Sequence, residues 1–521
     1  MSASQFDVYY PLLRAKFQQN AVTVTGWAGL GALGLALLLA WPFLFPDSMP
    51  KMPIAMEEEI PNKKKRQDIY MRNTRELLMN GYKKFGSQVF GLTTTEGTNI
   101  VIPLGLLDGL GGQKSLSFSA FLEEEFSFKK YTKVGNLKEI EINIVNKKLN
   151  PSLPQYVPVI QQVARDHWPL DDYQDFTAIK PYPHIMRLVS RVSARIFHSA
   201  EAAENDHWLD ISTQHVNSAV LWTETLKKWP HVLRPVVYPF VNRNGRQTML
   251  RHFDEAKSMV AETLRKRRTN GDKHLDNPPS LLDWLAESDM GAEDAEAHTI
   301  TQINLIVAAI QSMAATVTQC LMDMATYPEY ISELRQEIEE KLAKGNGHIS
   351  RQALSEMLKL DSFIKETQRL NPPDLTSFQR KAVSELTLSN GMRVPKGARI
   401  VLPTGAINMD EGLFENPQTF DGFRYHRLRT EREGMRNSYQ MVTVGKKDLT
   451  WGYGRHACPG RYIAEVALKL LLIEFITRYD VRLPIIGGGR PKNIEFEGLV
   501  IPDPEWEIMF CSRGAPLAMS N

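Results

Sequence analysis

The sequence predicts a mainly α-helical protein with a small β region, carried behind an N-terminal membrane helix. Three stretches carry this expectation. They are a charge-free run over 21–45, a long uncharged helical pattern over 303–325, and a glycine-rich turn that places Cys458 just before another apolar helix. Apolar residues make up 43 % and charged residues 23 % of the 521, which is the balance of a globular body rather than a disordered chain. A formal net charge of +2 gives no global field that would gather nucleic acid. Cys320, Cys458 and Cys511 are too few and too scattered for a disulfide framework or a tetrahedral zinc site. A reducing compartment suits them, and a thiolate ligand survives there.

In chain order, the first feature is AVTVTGWAGLGALGLALLLAWPFLF over 21–45. About 20 helical residues, rising 1.5 Å each, cross a bilayer core of roughly 30 Å. The run begins too far in for a signal peptide and lacks a small-residue cleavage site. Trp27 and Trp41 suit the two interfaces. Lys51 and Lys63-Lys64-Lys65-Arg66 follow the span, against Arg14 and Lys16 before it, so positive-inside reasoning leaves 1–20 lumenal and the body cytosolic. Pro42, Pro46, Pro50 and Pro53 make a stiff linker. The expected division is therefore a lumenal segment 1–20, an anchor 21–45, a hinge with a solvated basic juxtamembrane cluster 46–66, and a catalytic body 67–521. A helical pattern covers 67–85. Strands at 90–95 and 99–102 form a hairpin turned at Glu96-Gly97. Helical spacing over 185–197 places Arg187, Arg191 and Arg195 on a solvated or ion-paired face, and 264–268 is a basic helix end.

The helix over 303–325 is apolar nearly all round, hence buried or membrane-spanning. Gln311, Ser312, Thr316, Thr318 and Gln319 favour a core helix. Glu366 and Arg369 share a helix face at i, i+3 before Pro372-Pro373 ends that helix; on an exposed surface such a pair is worth ~0–1 kcal/mol. Residues 386–402 alternate strand and turn. In Trp451-Gly452-Tyr453-Gly454-Arg455-His456-Ala457-Cys458-Pro459-Gly460-Arg461, Gly452 and Gly454 permit positive φ, and Gly460 leaves space where a side chain would collide. Amides and the following helix N-terminus favour a thiolate at Cys458. A plainer reading of each piece stands beside this one: a structural cysteine in a turn, a serine bonded back to the carbonyl four residues earlier, a surface ion pair.

The loop pattern, aromatic-Gly-x-Gly-x-[His/Arg]-x-Cys-x-Gly, resembles the haem-binding loop of the cytochrome P450 superfamily, whose iron carries an axial cysteine thiolate. Phrases such as Arg369-Leu-Asn-Pro-Pro and Phe420-Asp-Gly-Phe-Arg-Tyr are similar to fungal microsomal members of secondary metabolism. The resemblance implies heme b, with Cys458 as metal ligand and Trp451, Gly452, Gly454, Arg455, His456 and Gly460 around it, His456 on a propionate. Ala308-Ala309-Ile310-Gln311-Ser312 matches the family's distal motif, with Gln311 where an acid or histidine is usual and Ser312 where threonine is usual. Ser312 and Gln311 are thereby the catalytic candidates, and Glu366, Arg369 and Arg424 a buried structural network. The family's Trp-x-x-x-Arg propionate signature has no clear match in the helical middle of the chain. Residues 371–378 and 497–504 are expected to line the substrate cavity. Lys446, Lys447, Arg455 and Arg461 could form a basic face for an electron donor.

The resemblance further implies a single-pass protein of the endoplasmic reticulum membrane, fed by NADPH–cytochrome P450 reductase with cytochrome b5 as a further donor, and with no nucleic-acid partner. Such a protein would use O2 to oxidise a hydrophobic secondary metabolite, a terpenoid or polyketide–peptide hybrid. The Gln311-Ser312 departure raises desaturation or ring expansion as an alternative outcome. Reductase-independent isomerisation or dehydration of a peroxide, and tethered binding without chemistry, are the readings from other classes.

Overall fold

A computed structural model describes residues 49–514 apart from 127–130, 136, 231–232, 271–275 and 289–293. The expected anchor at 21–45 and its lumenal segment lie outside the described residues. The body is mainly helical with a small β region.

The main sheet has the order β1-β2-β8-β5-β3. Strands β1 (Phe90–Thr94) and β2 (Gly97–Val101) form the hairpin that the alternating residues and the Glu96-Gly97 turn predict, with Phe90 opposite Val101. β2 then runs parallel to β8 (Arg399–Leu402), Ile100 beside Ile400, joining segments three hundred residues apart. β5 (Ser377–Ala382) lies antiparallel to β8, and β3 (Leu116–Ser117) closes the far edge. Smaller pairings complete the β region. β4 (Thr177–Ile179) and β9 (Tyr479–Arg482) flank β12 (Ile508–Ser512), β6 (Leu386–Thr387) pairs with β7 (Arg393–Val394), and β10 (Ile494–Phe496) turns back as β11 (Leu499–Ile501).

The helical pattern over 67–85 resolves into two helices, Lys63–Arg72 and Thr74–Phe85. Asn73, at φ −153° and ψ 55°, leaves the helical region and breaks them. Asn62 caps the first helix, its side chain accepting from the Lys65 amide at 3.1 Å. The basic run thus opens a helix of the body, and Arg66 is buried rather than solvated. Its guanidinium meets Glu57 at 3.2 Å, Thr93 Oγ1 at 3.1 Å and the Ile60 carbonyl at 2.6 Å. In the helix Pro181–Phe197, Arg187 and Arg191 pair with Asp206. Arg195 is ion-paired too but buried: it meets Asp276 at 3.9 Å and donates to the Asn277 carbonyl at 3.1 Å.

The central helix runs over Ala295–Thr326, opened by Asp294, whose carboxylate accepts from the Ala297 amide at 2.8 Å. Among the described residues it alone is long and apolar enough to cross a membrane, yet most of it is buried in the protein. It is a core helix. A helical hairpin, Asp206–Lys227 and Arg243–Asn270, covers it. Trp208, Trp222, Met249 and Phe253 of that hairpin share one apolar cluster with Ile303, Met313 and Val317 of the central helix. The sheet builds two further clusters of its own. The helix Arg461–Arg478 is buried from Ile463 to Ile476, and its Lys469 is held there by Asp361 and Glu465, both at 2.8 Å.

Candidate active site

The loop before Arg461 is fixed by backbone bonds. The Cys458 amide donates to the Trp451 carbonyl at 2.8 Å, and the Trp451 indole to the Met441 carbonyl at 2.5 Å. Gly452 (φ 80°) and Gly454 (φ 67°) sit in the left-handed region. At Gly454 a Cβ would also lie 2.8 Å from Gly111, so two backbones touch there. Gly460 differs from the expectation. Its φ is −86°, and a Cβ would meet Ile463 and Cys458 Sγ at 3.8 and 3.9 Å, ordinary contact distances. The protein's own packing does not require glycine there.

Burial pushes the Cys458 thiol up, while the amides of Gly460 and Arg461 and the Arg461 charge pull it down. Burial wins, so the protein alone presents a thiol; a coordinated cation would make it a thiolate. Two residues before it, His456 Nε2 accepts from Arg455 Nε at 3.1 Å. Burial, then Arg380 and Arg455, lower the imidazole to about 4.

Arg380 is the residue that sequence reading missed. It lies on β5, seventy-eight positions before Cys458, with Phe378 and Ala382 on the buried face of an alternating strand. Nη1 donates to the Gln379 carbonyl at 2.8 Å, whereas Nη2 is buried with no partner among the described residues. The rings of Phe378 and Phe118 stand 4.5 and 5.4 Å from its guanidinium carbon. Burial and Arg455 lower its pKa to about 10. An arginine in phase with the buried face of a strand was the available signal. Arg380, Arg455 and His456 thus face one another with no carboxylate among them, and an anionic group is what that cluster lacks.

On the central helix the buried pattern breaks at Val307–Ala309 and again at Gln311-Ser312. Ala308 is exposed in the middle of the helix, and Ser312 lies one turn on along the same face. Ser312 Oγ donates to the Ala308 carbonyl at 2.9 Å, with the Ala309 carbonyl at 3.3 Å. Its proton is therefore engaged, and its lone pairs remain as acceptors. Gln311 is half-buried beside it.

Glu366, on the helix Leu358–Leu370, is fully buried. Its carboxylate receives Arg369 Nη2 at 2.7 Å and Nε at 2.8 Å, Arg424 Nε at 3.2 Å and the Asp421 amide at 3.1 Å. Arg369 Nη1 continues to the carbonyls of Asn408 and Pro417 at 2.6 and 2.7 Å. Residues 371–378 and the β10–β11 turn meet, the Leu375 amide donating to the Gly498 carbonyl at 2.8 Å.

The basic residues do not form one patch. Lys446 pairs with Asp108 at 2.6 Å, and Arg461 turns back to the Cys458 carbonyl at 2.8 Å and onto the Tyr462 ring. Lys447 and Arg455 remain exposed. The segment 139–149 carries neither tryptophan nor arginine. It approaches the loop through Asn150, which donates to the Pro459 carbonyl at 3.2 Å.

Comparison with known proteins agrees with this geometry. The family model described as Cytochrome P450 matches residues 117–510. The cytochrome P450 monooxygenase olcJ of Penicillium canescens is 32 % identical, covering 84 % of each chain. The ent-kaurene oxidase P450-4 of Gibberella fujikuroi is 29 % identical over 84 % of this chain and 87 % of its own. The cytochrome P450 monooxygenase paxP of Penicillium paxilli is also 29 % identical, over 84 % and 85 %. These relatives are fungal monooxygenases of secondary metabolism. With the family model spanning the central helix and the cysteine loop, this chain belongs to the cytochrome P450 family, oxidoreductases that hold haem through a cysteine thiolate.

Proposed function

We propose that the protein is a membrane-tethered monooxygenase that oxidises a hydrophobic secondary metabolite, with Cys458 as the residue that would hold the haem iron. The observation that carries this reading is the cysteine loop with its anion-free basic cluster. The backbone amides of Gly460 and Arg461 favour an ionised Sγ, while Arg380 Nη2, beside His456 and Arg455, is buried without a partner among the described residues. These residues fit haem: a thiol for the metal, and guanidinium and imidazole groups for its propionates. The chemistry supplied with haem bound is reductive activation of dioxygen, in which the thiolate favours O–O cleavage.

The chain's own residues then divide the work. Arg380, Arg455 and His456 would hold the carboxylates. The small side chains of Ala308 and Ala309 would leave room beside Ser312 on the exposed face of the central helix. Ser312 would accept a hydrogen bond from an ordered water or substrate, since its own proton lies on the Ala308 carbonyl. Gln311 can orient water through its amide but cannot titrate. The Glu366–Arg369–Arg424 network would keep the segments beneath the loop in place. The substrate class is a terpenoid or a polyketide–peptide hybrid; the ent-kaurene oxidase among the relatives supports the former. Electrons would come from NADPH through a cytochrome P450 reductase, with Lys447 as an exposed cation before the loop, and the 21–45 run would tether the body to the endoplasmic reticulum.

The reduced, CO-bound spectrum tests the ligand assignment: the thiolate-type Soret band should appear in the wild type and vanish in Cys458→Ala. Turnover of a terpenoid panel with reductase and NADPH should add one oxygen atom to the product. A second reading has a specific observation behind it. With the Ser312 proton engaged and Gln311 unable to titrate, desaturation or ring expansion becomes the competing outcome, recognised by a product lacking the added oxygen. Conversion without NADPH consumption would instead identify an isomerase or dehydratase.

A further inference from the structure

Between the helix Arg424–Thr430 and the single turn Gly454–His456 the chain forms neither helix nor strand. Met441 and Val442 are nevertheless buried in the middle of that stretch. Buried backbone without a ladder needs side chains to satisfy it. The helix Leu358–Leu370 supplies them.

Asp361 and Lys365 stand one turn apart on one face of that helix, and both are buried. Asp361 Oδ2 accepts from the Met441 amide at 2.9 Å. Lys365 Nζ donates to the Gln440 carbonyl at 3.0 Å. That amide and that carbonyl belong to one peptide group. A single planar unit is thus gripped by an anion on its N–H edge and by a cation on its C=O edge. Turning the plane would break both bonds. The two gripping groups are fixed in turn. Asp361 also takes Lys469 of the helix Arg461–Arg478 and Arg429, each at 2.8 Å. Lys365 also pairs with Asp448 and lies 4.5 Å from the centroid of the Tyr425 ring.

The neighbouring Glu366 network does different work. Its bonds go to Asn408, Pro417 and Asp421, all before Arg424, whereas Asp361 and Lys365 reach 440–448. What they fix lies one atom group further on. With the Gln440–Met441 peptide held, the Met441 carbonyl faces the Trp451 indole, which donates to it at 2.5 Å. The Trp451 carbonyl accepts the Cys458 amide at 2.8 Å. The path from the clamped peptide to the cysteine therefore passes through one side-chain hydrogen bond, the indole N–H on Met441. Phenylalanine at 451 would keep an aromatic ring and lose that donor.

We propose that Asp361 and Lys365 are positioning residues for Cys458, acting through the clamped Gln440–Met441 peptide and the Trp451 indole. This rests on the functional reading above, in which Cys458 holds the haem iron. The test uses the full-length, haem-loaded, reduced and CO-bound protein, and reads the rate at which the thiolate-type Soret band is lost in mild urea. Lys365→Met should speed that loss at least fivefold. Lys365→Arg keeps a charged donor and should stay within threefold of wild type. Trp451→Phe, with the clamp intact, should speed the loss at least threefold. The double variant separates positioning from general loosening: if Lys365 acts through the indole, it should be no more than twofold faster than the faster single variant. Multiplied rates in the double variant would overturn the proposal, because the two residues then act independently. An unchanged rate in Lys365→Met or in Trp451→Phe would overturn it as well. Should Lys365→Met fail to retain haem, Trp451→Phe and Lys365→Arg still decide. A wild type lacking the thiolate-type CO band would overturn the functional reading itself, and that failure shows before any variant is made.

Discussion

Arg380 has one terminal nitrogen bonded to a backbone carbonyl and the other buried without a partner among the described residues. An unpaired buried donor is costly, and a charged hydrogen bond that satisfies it is worth about 1.5–3 kcal/mol. Arg380→Leu should therefore speed transfer of haem to apomyoglobin by roughly tenfold or more. Arg380→Lys should recover part of that loss, because it restores the charge but not the fork. Asp374 gives a pH signature. Burial pushes its carboxyl up to about 6, against the bonds from the Thr376 amide at 2.7 Å and Gln379 at 2.7 Å that favour the ionised form. A carboxyl whose pKa is raised on folding binds more protons folded than unfolded, so its contribution is present at low pH and is lost as pH rises from about 4 through 6. Denaturant titrations at pH 4 to 7 should show that loss in the wild type and a flatter profile in Asp374→Asn. Glu125 has the opposite sign: although burial opposes its ionisation, Lys227 and Arg399 hold it at about 2, so its contribution falls away only as pH drops below about 4.5.

Helices and strands show where pattern informs and where it stops. The central helix was legible because its apolar residues continue too long for a surface helix, yet the face that opens at Ala308 is not visible in them. Ala308→Leu tests that face. It should leave thermal unfolding within a degree or two of wild type while weakening binding of bulky azoles several-fold, since the added side chain enters open space rather than core. On the helix Leu358–Leu370, the i, i+3 spacing announces a pair between Glu366 and Arg369, but not its burial. Burial changes the energetics. Glu366→Gln would leave two buried guanidiniums without their shared carboxylate and should cost about 3–5 kcal/mol, read from urea denaturation. The exposed pair Arg393–Glu385, 2.7 Å apart, should lose no more than ~0.5 kcal/mol on Glu385→Gln. The break at Asn73 escaped the pattern because apolar spacing runs through it, and a single non-helical residue divides the helix.

At the scale of the molecule, the body begins its packing at once: Ile54 bridges Gly91, and the Ala55 amide donates to the Gly91 carbonyl at 2.9 Å. A chain starting at residue 49 should therefore fold and give the same CO-bound spectrum as the full-length protein, and it should leave the membrane fraction if 21–45 is the tether. Sequence by itself determined the features whose chemistry is written in neighbouring residues. The cysteine turn needs its glycines within a few positions, and the Glu-x-x-Arg pair needs one turn of helix. Those signals sufficed for the family, the cofactor and the mainly helical class. Tertiary structure alone decided what depends on residues far apart in the chain. Arg380 reaches the cysteine loop from a strand of the main sheet, and Lys227 meets Glu125 and Glu497, 102 and 270 positions away. The physical reason is range. Periodicity and capping act over a few residues, whereas a buried charge is held by whichever partners the fold brings within about 3 Å, and only the folded chain brings them there.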